Sequence, residues 1–424
     1  MRISTLQAFN NGVTGIQRNY SNATRTQEQI STGNRILTPA DDPVASVRLL
    51  QLEQQQNVLT QYDSNLTAAK NSLTQEEVTL NSVNTVLQRV RELAVNAGNG
   101  ALDPQDRKAI AAELGEREDE LLSLMNTRNS RGEYLFAGFQ GKTQPFVRAA
   151  DGSYSYQGDE GQRKLQIASS LSIPISDNGK SIFEGITNAG RLERQPVATF
   201  PAGSTLSVSA PLVSDEVAFS GANGFPANGV QLQFNADGTY DIYELDNSGV
   251  PAATPLADGA GLKMDEKPTR SDALVFRGVT LQLDGAAVGG EVVNVTPKLS
   301  ASGEIQQKQG ILDTIANLRK SLEDPTTDNA GVRDAVAVAL TNLDHGMVSV
   351  DQARGNIGAR LNVIESTQTD NQDVTLVNKG VQAELRELDY AEALSRLSMQ
   401  TVVLEAAQQS YVKIAGLSLF NVMR

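Results

Sequence analysis

The strongest constraint in this chain is a row of residues spaced alternately three and four apart. Leu59, Tyr62, Leu66, Ala69, Leu73, Glu76, Leu80, Val83, Leu87, Val90 and Ala94 follow it without a skip. That alternation is the seam of a coiled coil. It covers about 36 residues, which makes the helix carrying it about 55 Å long at 1.5 Å per residue. Such a helix is too long for a compact domain and predicts a rod. A helix with one apolar stripe cannot hide that stripe alone, so most of its stability must come from a partner.

Further seams supply partners. Leu6, Phe9, Val13, Ile16, Tyr20, Ala23, Gln27 and Ile30 form one near the N-terminus. Ile110, Leu114, Leu121 and Leu124 mark another helix. Val336, Leu340, Leu343, Met347, Val350, Arg354, Ile357, Leu361 and Ile364 mark the next. Tyr390, Leu394, Leu397, Thr401, Leu404, Gln408, Tyr411 and Ala415 repeat the rhythm near the C-terminus. The first and last seams are short and sit at opposite ends of the chain. The economical solution pairs them with each other and with neighbouring molecules. Polar seam residues such as Gln27, Thr401 and Gln408 then fix register and partner number.

From about residue 136 to 299 the pattern changes to Gly, Pro, Ser and alternating β-type residues. "VQLQFNADGTYDIYEL" sets Val230, Leu232 and Phe234 on one arm and Tyr240 and Ile242 on the other. Asn235, Asp237 and Gly238 lie between them, a hairpin signal. The expected fold is therefore α+β: an elongated multi-helix coiled-coil rod built from both chain ends, with an inserted β-rich outer domain. Residues 1–42 and 381–424 are expected to form a terminal helical assembly domain. Residues 43–146 and 300–380 are expected to form a long-helix bundle, and 147–299 the insert.

Composition removes several function classes. There is no cysteine, which excludes disulfides, thiolate zinc sites and cysteine nucleophiles. His345 is the only histidine, so one chain cannot build a multi-histidine metal site. The net charge of −14 argues against non-specific nucleic-acid binding, which needs a basic footprint. Aromatic residues make up 5% and tryptophan is absent, a poor lining for a conventional ligand pocket. No apolar run is long enough to span a membrane. The opening "MRISTLQAFNNGVTGIQRNY" carries no apolar core of a Sec-type signal peptide.

The stretch "ISTGNRILTPADDPVAS", residues 30–46, interrupts the helical pattern. Its paired aspartates invite a metal site, but further oxygen ligands are not identifiable. A joint between two helices explains it better, through Gly33, Pro39, Asp41, Asp42 and Pro43. The residue before Pro39 is pushed away from helical angles. Asp42 suits an N-cap and Pro43 the first helical position. Asp41 adds negative charge near the positive end of the helix dipole. Elsewhere, His345 lies between seam positions and reads as a surface or groove residue. The glycines from Gly285 to Gly290 lack a following Gly-Lys-Ser/Thr and read as a turn. "NADGTYD" lacks the spaced ligands of a calcium loop. No catalytic, metal or cofactor-binding residue emerges.

Three stretches together resemble the bacterial flagellin family. "QEQISTGNRILTPADDPVAS", residues 27–46, is similar to that family's turn after the first terminal helix. "NSRGEYLFAGFQGKTQPF", residues 129–146, resembles the exit from the long helices to the outer domain. "LDYAEALSRLSMQTVVLEAAQQSYVKIAGLSLFNVMR", residues 388–424, resembles the terminal helix with its Leu-Phe-Asn ending. The proline-bearing "TPADDPVAS" and "GEYLFAGFQGKTQPF" fit a subunit joining hook to filament better than the bulk filament flagellin, which is the alternative. The resemblance implies a secreted, extracellular, non-enzymatic structural protein of the flagellum with no cofactor. It implies unfolded export and assembly through the terminal helices. The implied partners are further copies in a ring, a neighbouring hook-associated protein on the hook side, flagellin on the filament side, and a cytosolic export chaperone on residues of about 380–424; nucleic acid and membrane are not among them. Leu6, Phe9, Val13, Ile16, Leu394, Leu397, Leu404 and Tyr411 are the candidate assembly seam, and Leu417, Leu419 and Phe420 the candidate C-terminal anchors.

Overall fold

The computed structural model describes residues 5–196, 204–263, 272–299 and 303–422. Long helices occupy both ends of the chain and a β-rich region lies between them. The helices are α1 (Thr5–Thr32), α2 (Pro43–Ala97), α3 (Pro104–Met125), the short α4 (Glu216–Ser220), α5 (Ile311–Glu323), α6 (Asn329–Arg386) and α7 (Tyr390–Val422). Five of them start on an aspartate whose side chain accepts from backbone amides that the first turn leaves unpaired, Asp215 at α4 taking Val217 N at 2.9 Å and Ala218 N at 3.0 Å. Asp42 takes Ala45 N at 3.0 Å, and Asp103 takes Gln105 N and Asp106 N at 2.8 Å. Asp328 takes Gly331 N at 2.7 Å, and Asp389 takes Ala391 N at 2.9 Å and Glu392 N at 3.1 Å.

The chain divides into two compact units. One comprises residues 1–66, 167–169 and 365–424; the other comprises 67–166 and 170–364. In the second unit the helical stripes are buried as their spacing requires. Leu73, Leu80, Val83, Leu87, Val90 and Ala94 of α2 have no solvent exposure. Leu114 and Leu121 of α3, Ile315 and Leu318 of α5, and Leu343, Val350 and Ile357 of α6 join that buried set. The bundle also holds a fully buried carboxylate. Glu118 of α3 receives Tyr154 Oη at 2.5 Å, Arg148 at 3.1 Å and Arg319 of α5 at 2.9 Å. Three charged or polar donors meet the buried charge, which is what makes burying it tolerable.

The chain leaves the bundle through irregular backbone. Here the structure departs from the sequence reading: helix ends at Met125 rather than near 135, and resumes at Ile311 rather than near 300. Asn126 causes the first stop by exchanging two hydrogen bonds with the Phe146 backbone, at 2.9 and 3.0 Å. Phe146 and Phe136 pack against Phe183, ring centroids 5.7 and 5.2 Å away, in edge-on geometry.

Beyond this exit two antiparallel sheets share one hydrophobic cluster. The larger runs, in spatial order, 262–263, 239–244, 230–234, 292–297 and 192–196. The smaller joins 272–276, 279–284 and 207–208, with 212–213 also on 279–284. Leu232, Phe234, Ile242 and Val295 point inward from the first, and Phe276, Leu281 and Leu283 from the second. The hairpin of Val230–Phe234 and Thr239–Glu244 closes on Gly238, whose φ of +81° is open to glycine. Helix α6 holds the base of the insert through polar side chains. Asn342 accepts Ala189 N at 2.7 Å, and Asp334 accepts Ala210 N at 2.7 Å. His345 serves the same purpose, its Nδ1 lying 3.1 Å from Thr187 O.

Candidate functional site

The other unit is built very differently. It contains α1, α7, the first part of α2 and the last part of α6, yet among its described residues few large apolar side chains are buried. Leu59, Leu66, Ile167 and Leu388 are buried, together with the small Ala23, Ala45 and Ala393. Large apolar groups instead face water: Tyr20, Val44, Leu50, Leu376, Val377, Leu394, Met399, Val402 and Val412 are all more than half exposed. Isolated exposed apolar residues are ordinary, but a concentration of this kind on one unit marks an interaction surface.

Helix α7 shows the imbalance most clearly. Ala393 is buried and Leu397, Leu404 and Tyr411 are half-buried, and these recur on one side of the helix. Leu394, Met399, Val402, Val403 and Val412 lie on the remaining sides, exposed. Helix α1 packs against α7 and places Phe9 5.2 Å from Tyr411, ring centre to ring centre. A Cβ on Gly12 would come within 3.1 Å of the Tyr411 ring, so glycine there permits the approach. Exposed apolar residues interleaved with polar ones on a helix that already packs on one face mark a second contact surface. In the single chain α7 packs against α1 and keeps its other faces open.

The sequence-predicted seam therefore divides. Val13, Ile16, Leu397, Leu404 and Tyr411 are half-buried, whereas Phe9 and Leu394 are 47% and 55% exposed. The side chains of Leu6, Leu417, Leu419 and Phe420 lie outside the described residues.

Two breaks between helices lie side by side in this unit. Residues 33–42 separate α1 from α2, and 387–389 separate α6 from α7. Asn34 bridges Glu387, Arg35 N donates to Arg386 O at 2.8 Å, and Leu388 N donates to Gly33 O at 3.1 Å. Side chains reinforce the pair: Arg386 donates to Asn34 Oδ1 at 3.0 Å and Arg35 to Leu385 O at 3.1 Å. Gly33 ends α1 at φ +71°, where a Cβ would come 2.9 Å from Tyr390 Oη. Asp41 is turned away from the helix it precedes. It accepts Leu37 N at 2.9 Å, Thr38 N at 3.1 Å and Thr38 Oγ1 at 2.8 Å, and it pairs with Arg25. Pro39 and Pro43 are exposed at the bend. The sequence reading starts the terminal helical segment at about 381–388 but does not identify the break itself, whose signal is Asp389 three residues before Glu392, an N-cap pattern.

Among the described residues no group of three His, Asp or Glu could hold a metal, and no helix is long and apolar enough to cross a membrane. A depression of about 560 Å³ in the second unit is lined by Arg194, Asp334 and Lys320. These groups are committed to structure, Arg194 to Val208 O at 2.7 Å and Lys320 to Asp151 O at 3.2 Å.

Known proteins match this arrangement. The family described as the bacterial flagellin N-terminal helical region matches residues 3–141. Flagellar hook-associated protein 3 of Salmonella typhimurium is 35% identical over 188 residues, which are 44% of this chain and 58% of that protein. The match thus spans little more than half the length of that relative. Flagellar hook-associated protein 3 of Escherichia coli is 26% identical over 424 residues, covering all of both chains. The crystal structure of the flagellar junction protein FlgL from Legionella pneumophila superposes with a TM-score of 0.60 at 26% identity, covering 80% of this chain and 100% of that one. Flagellins match more weakly. The first third of the chain thus matches the bacterial flagellin N-terminal helical region, and over its length the chain is more similar to the hook-associated protein 3 relatives than to the filament flagellins.

Proposed function

We propose that this chain is the structural subunit that joins hook to filament in the bacterial flagellum. The observation that carries the reading is α7: α1 is packed on one side, while Leu394, Met399, Val402, Val403 and Val412 stand exposed on its other faces among polar residues. Neighbouring copies supply the missing cover. The terminal segments 1–42 and 381–424 act as the assembly domain, 43–146 and 300–380 as the long-helix bundle, and 147–299 as the outward β-rich insert. Phe9, Val13, Ile16, Leu397, Leu404 and Tyr411 hold the terminal helices together, with Leu6 extending that seam; Leu394 faces other copies, and Leu417, Leu419 and Phe420 anchor the end of the chain. Copies form a ring, contacting a hook-associated protein on one side and flagellin on the other. A head-to-tail contact of this kind need not close on itself, which is how tubes grow.

The role is structural and not enzymatic. The chain leaves the cell unfolded and functions outside it. A cytosolic chaperone shields residues of about 380–424 before export, because an apolar helix of this kind would otherwise aggregate. The alternative, the bulk filament subunit, is disfavoured by the weaker flagellin matches. A deletion strain decides between them. Loss of the junction subunit leaves hooks while filament protein is shed into the medium; loss of flagellin leaves nothing to shed. Immunogold labelling gives the same decision by position: one spot at the filament base for the junction role, decoration along the length for flagellin.

A further inference from the structure

The chain contains five Asn-Gly steps, at Asn11, Asn99, Asn178, Asn223 and Asn228. Such a step can react with itself. The glycine amide nitrogen attacks the side-chain carbonyl carbon of the asparagine, and glycine has no Cβ to hinder the approach. The nitrogen must be free to attack, and at four of the steps it is engaged. Gly12 lies inside α1, where backbone amides are donated along the helix. Gly179 N donates to Phe136 O at 2.8 Å, Gly224 N to Gly221 O at 2.9 Å and Gly229 N to Pro226 O at 3.0 Å. Asn178 is also buried, its side chain accepting Ser181 N at 2.9 Å and donating to Glu160 O at 3.3 Å.

Asn99 differs on each count. It lies with Gly100 in the turn between α2 and α3, and both are exposed. Among the described residues no group accepts a bond from Gly100 N. Ala101 N donates to Asn99 Oδ1 at 3.2 Å. That bond folds the carboxamide over the chain that follows it, toward Gly100 N. It also offers a donor to the negative charge that develops on Oδ1 during attack. The turn is held in this form from two sides: Leu102 N donates to Asn99 O at 3.2 Å, and Asn329 at the start of α6 donates to Gly100 O at 3.5 Å.

We propose that Asn99 is a self-modifying site, converted in the folded chain to aspartate and isoaspartate without an enzyme. Gly100 N bonds to Asn99 Cγ, its proton passes to solvent base, and the Cγ–Nδ2 bond breaks with ammonia leaving. Water then opens the cyclic imide. Attack at Cγ restores the main chain and leaves aspartate. Attack at the backbone carbonyl carbon reroutes the chain through the side chain and leaves isoaspartate. Both products carry one added negative charge, and nothing is oxidised or reduced.

Peptide mapping by mass spectrometry tests this on the full-length chain, aged in neutral buffer and in urea. In the folded chain Asn99 should convert about tenfold or more faster than Asn178, Asn223 and Asn228, and in urea the four should react at similar rates. A Cβ on Gly100 meets nothing within 4 Å, so Gly100→Ala should fold normally while its methyl group crowds the nitrogen and slows conversion about tenfold or more. Three results overturn the proposal: folding that slows Asn99 to the level of the other sites, undiminished conversion in Gly100→Ala, or aspartate without isoaspartate, which marks direct hydrolysis by water. Should Gly100→Ala fail to fold, the comparison of folded and urea-treated wild type decides alone.

Discussion

Single residues set both the stability of the bundle and its sensitivity to pH. Glu76 is neutral in the folded chain at pH 7 and ionised in the unfolded chain. With its folded pKa raised from 4.5 to about 8, its favourable contribution is complete below pH 4.5 and fades until the pH passes 8. At 1.36 kcal/mol per pH unit the ceiling on that loss is about 5 kcal/mol. Glu76→Gln is therefore expected to melt like the wild type at pH 4 and to be more stable by about 2–4 kcal/mol at pH 9, measured by denaturant titration at both values. Equal pH dependence in the two proteins would reject the assignment. Glu118 makes the opposite case. Its carboxylate is met by Tyr154, Arg148 and Arg319, so the charge is paired; removing it leaves Arg148 on Asp119 and Arg319 on Glu323 but unpairs the Tyr154 hydroxyl. Glu118→Ala should cost about 1–3 kcal/mol. A loss below about 1 kcal/mol would show that these donors find water instead.

At the scale of elements, the starts of α2, α3, α4, α6 and α7 each depend on one carboxylate. Asp389 caps α7 at the inner side of the paired break, so Asp389→Ala should destabilise the terminal unit by about 1 kcal/mol. Faster proteolysis between 385 and 392 with unchanged melting of the other unit is the expected signature. Uniform destabilisation of both units would count against a local cap. The helices themselves were legible from spacing because each stripe is buried along one face, as Leu73 to Ala94 show. Their full lengths were not. Helix α2 runs for 55 residues, beginning well before its seam, because nothing between Pro43 and Gly98 breaks it and helical backbone does not require a buried face. Val44 and Leu50 remain exposed on that early stretch. The hairpin at Gly238 was legible because a positive φ demands a particular residue. The interlock of the two breaks was not, since Gly33 and Leu388 are hundreds of positions apart and meet through backbone groups that every residue carries. The division of the C-terminal seam was hidden for a related reason. Spacing alone does not distinguish which apolar side of α7 meets α1 and which waits for another molecule.

Across the whole molecule, the two units differ in what completes them. The unit of 67–166 and 170–364 closes its own cores, one among helices and one between sheets. The unit holding both chain ends does not, and this is the physical basis of the assembly reading. Fully burying a Leu or Val side chain contributes about 1.5–3 kcal/mol. Covering Leu394, Val402 and Val412 on α7 is therefore worth several kcal/mol to each incorporated copy. Two double variants separate folding from assembly. Leu397→Asp with Leu404→Asp strikes the half-buried side, so it should lower the helicity of the free chain and also block incorporation. Leu394→Asp with Val402→Asp strikes the open side. It should leave export and the circular dichroism of the free chain unchanged while reducing incorporation at least tenfold, because the added carboxylates meet water in the monomer but apolar neighbours in the polymer. The second variant is the sharper test, since a protein that folds and leaves the cell normally yet fails to assemble has lost only its contact with other copies. Wild-type incorporation of Leu394→Asp with Val402→Asp would mean that the open side of α7 still faces solvent after assembly, and the surface proposed here as the polymer contact would have to be sought elsewhere on the chain.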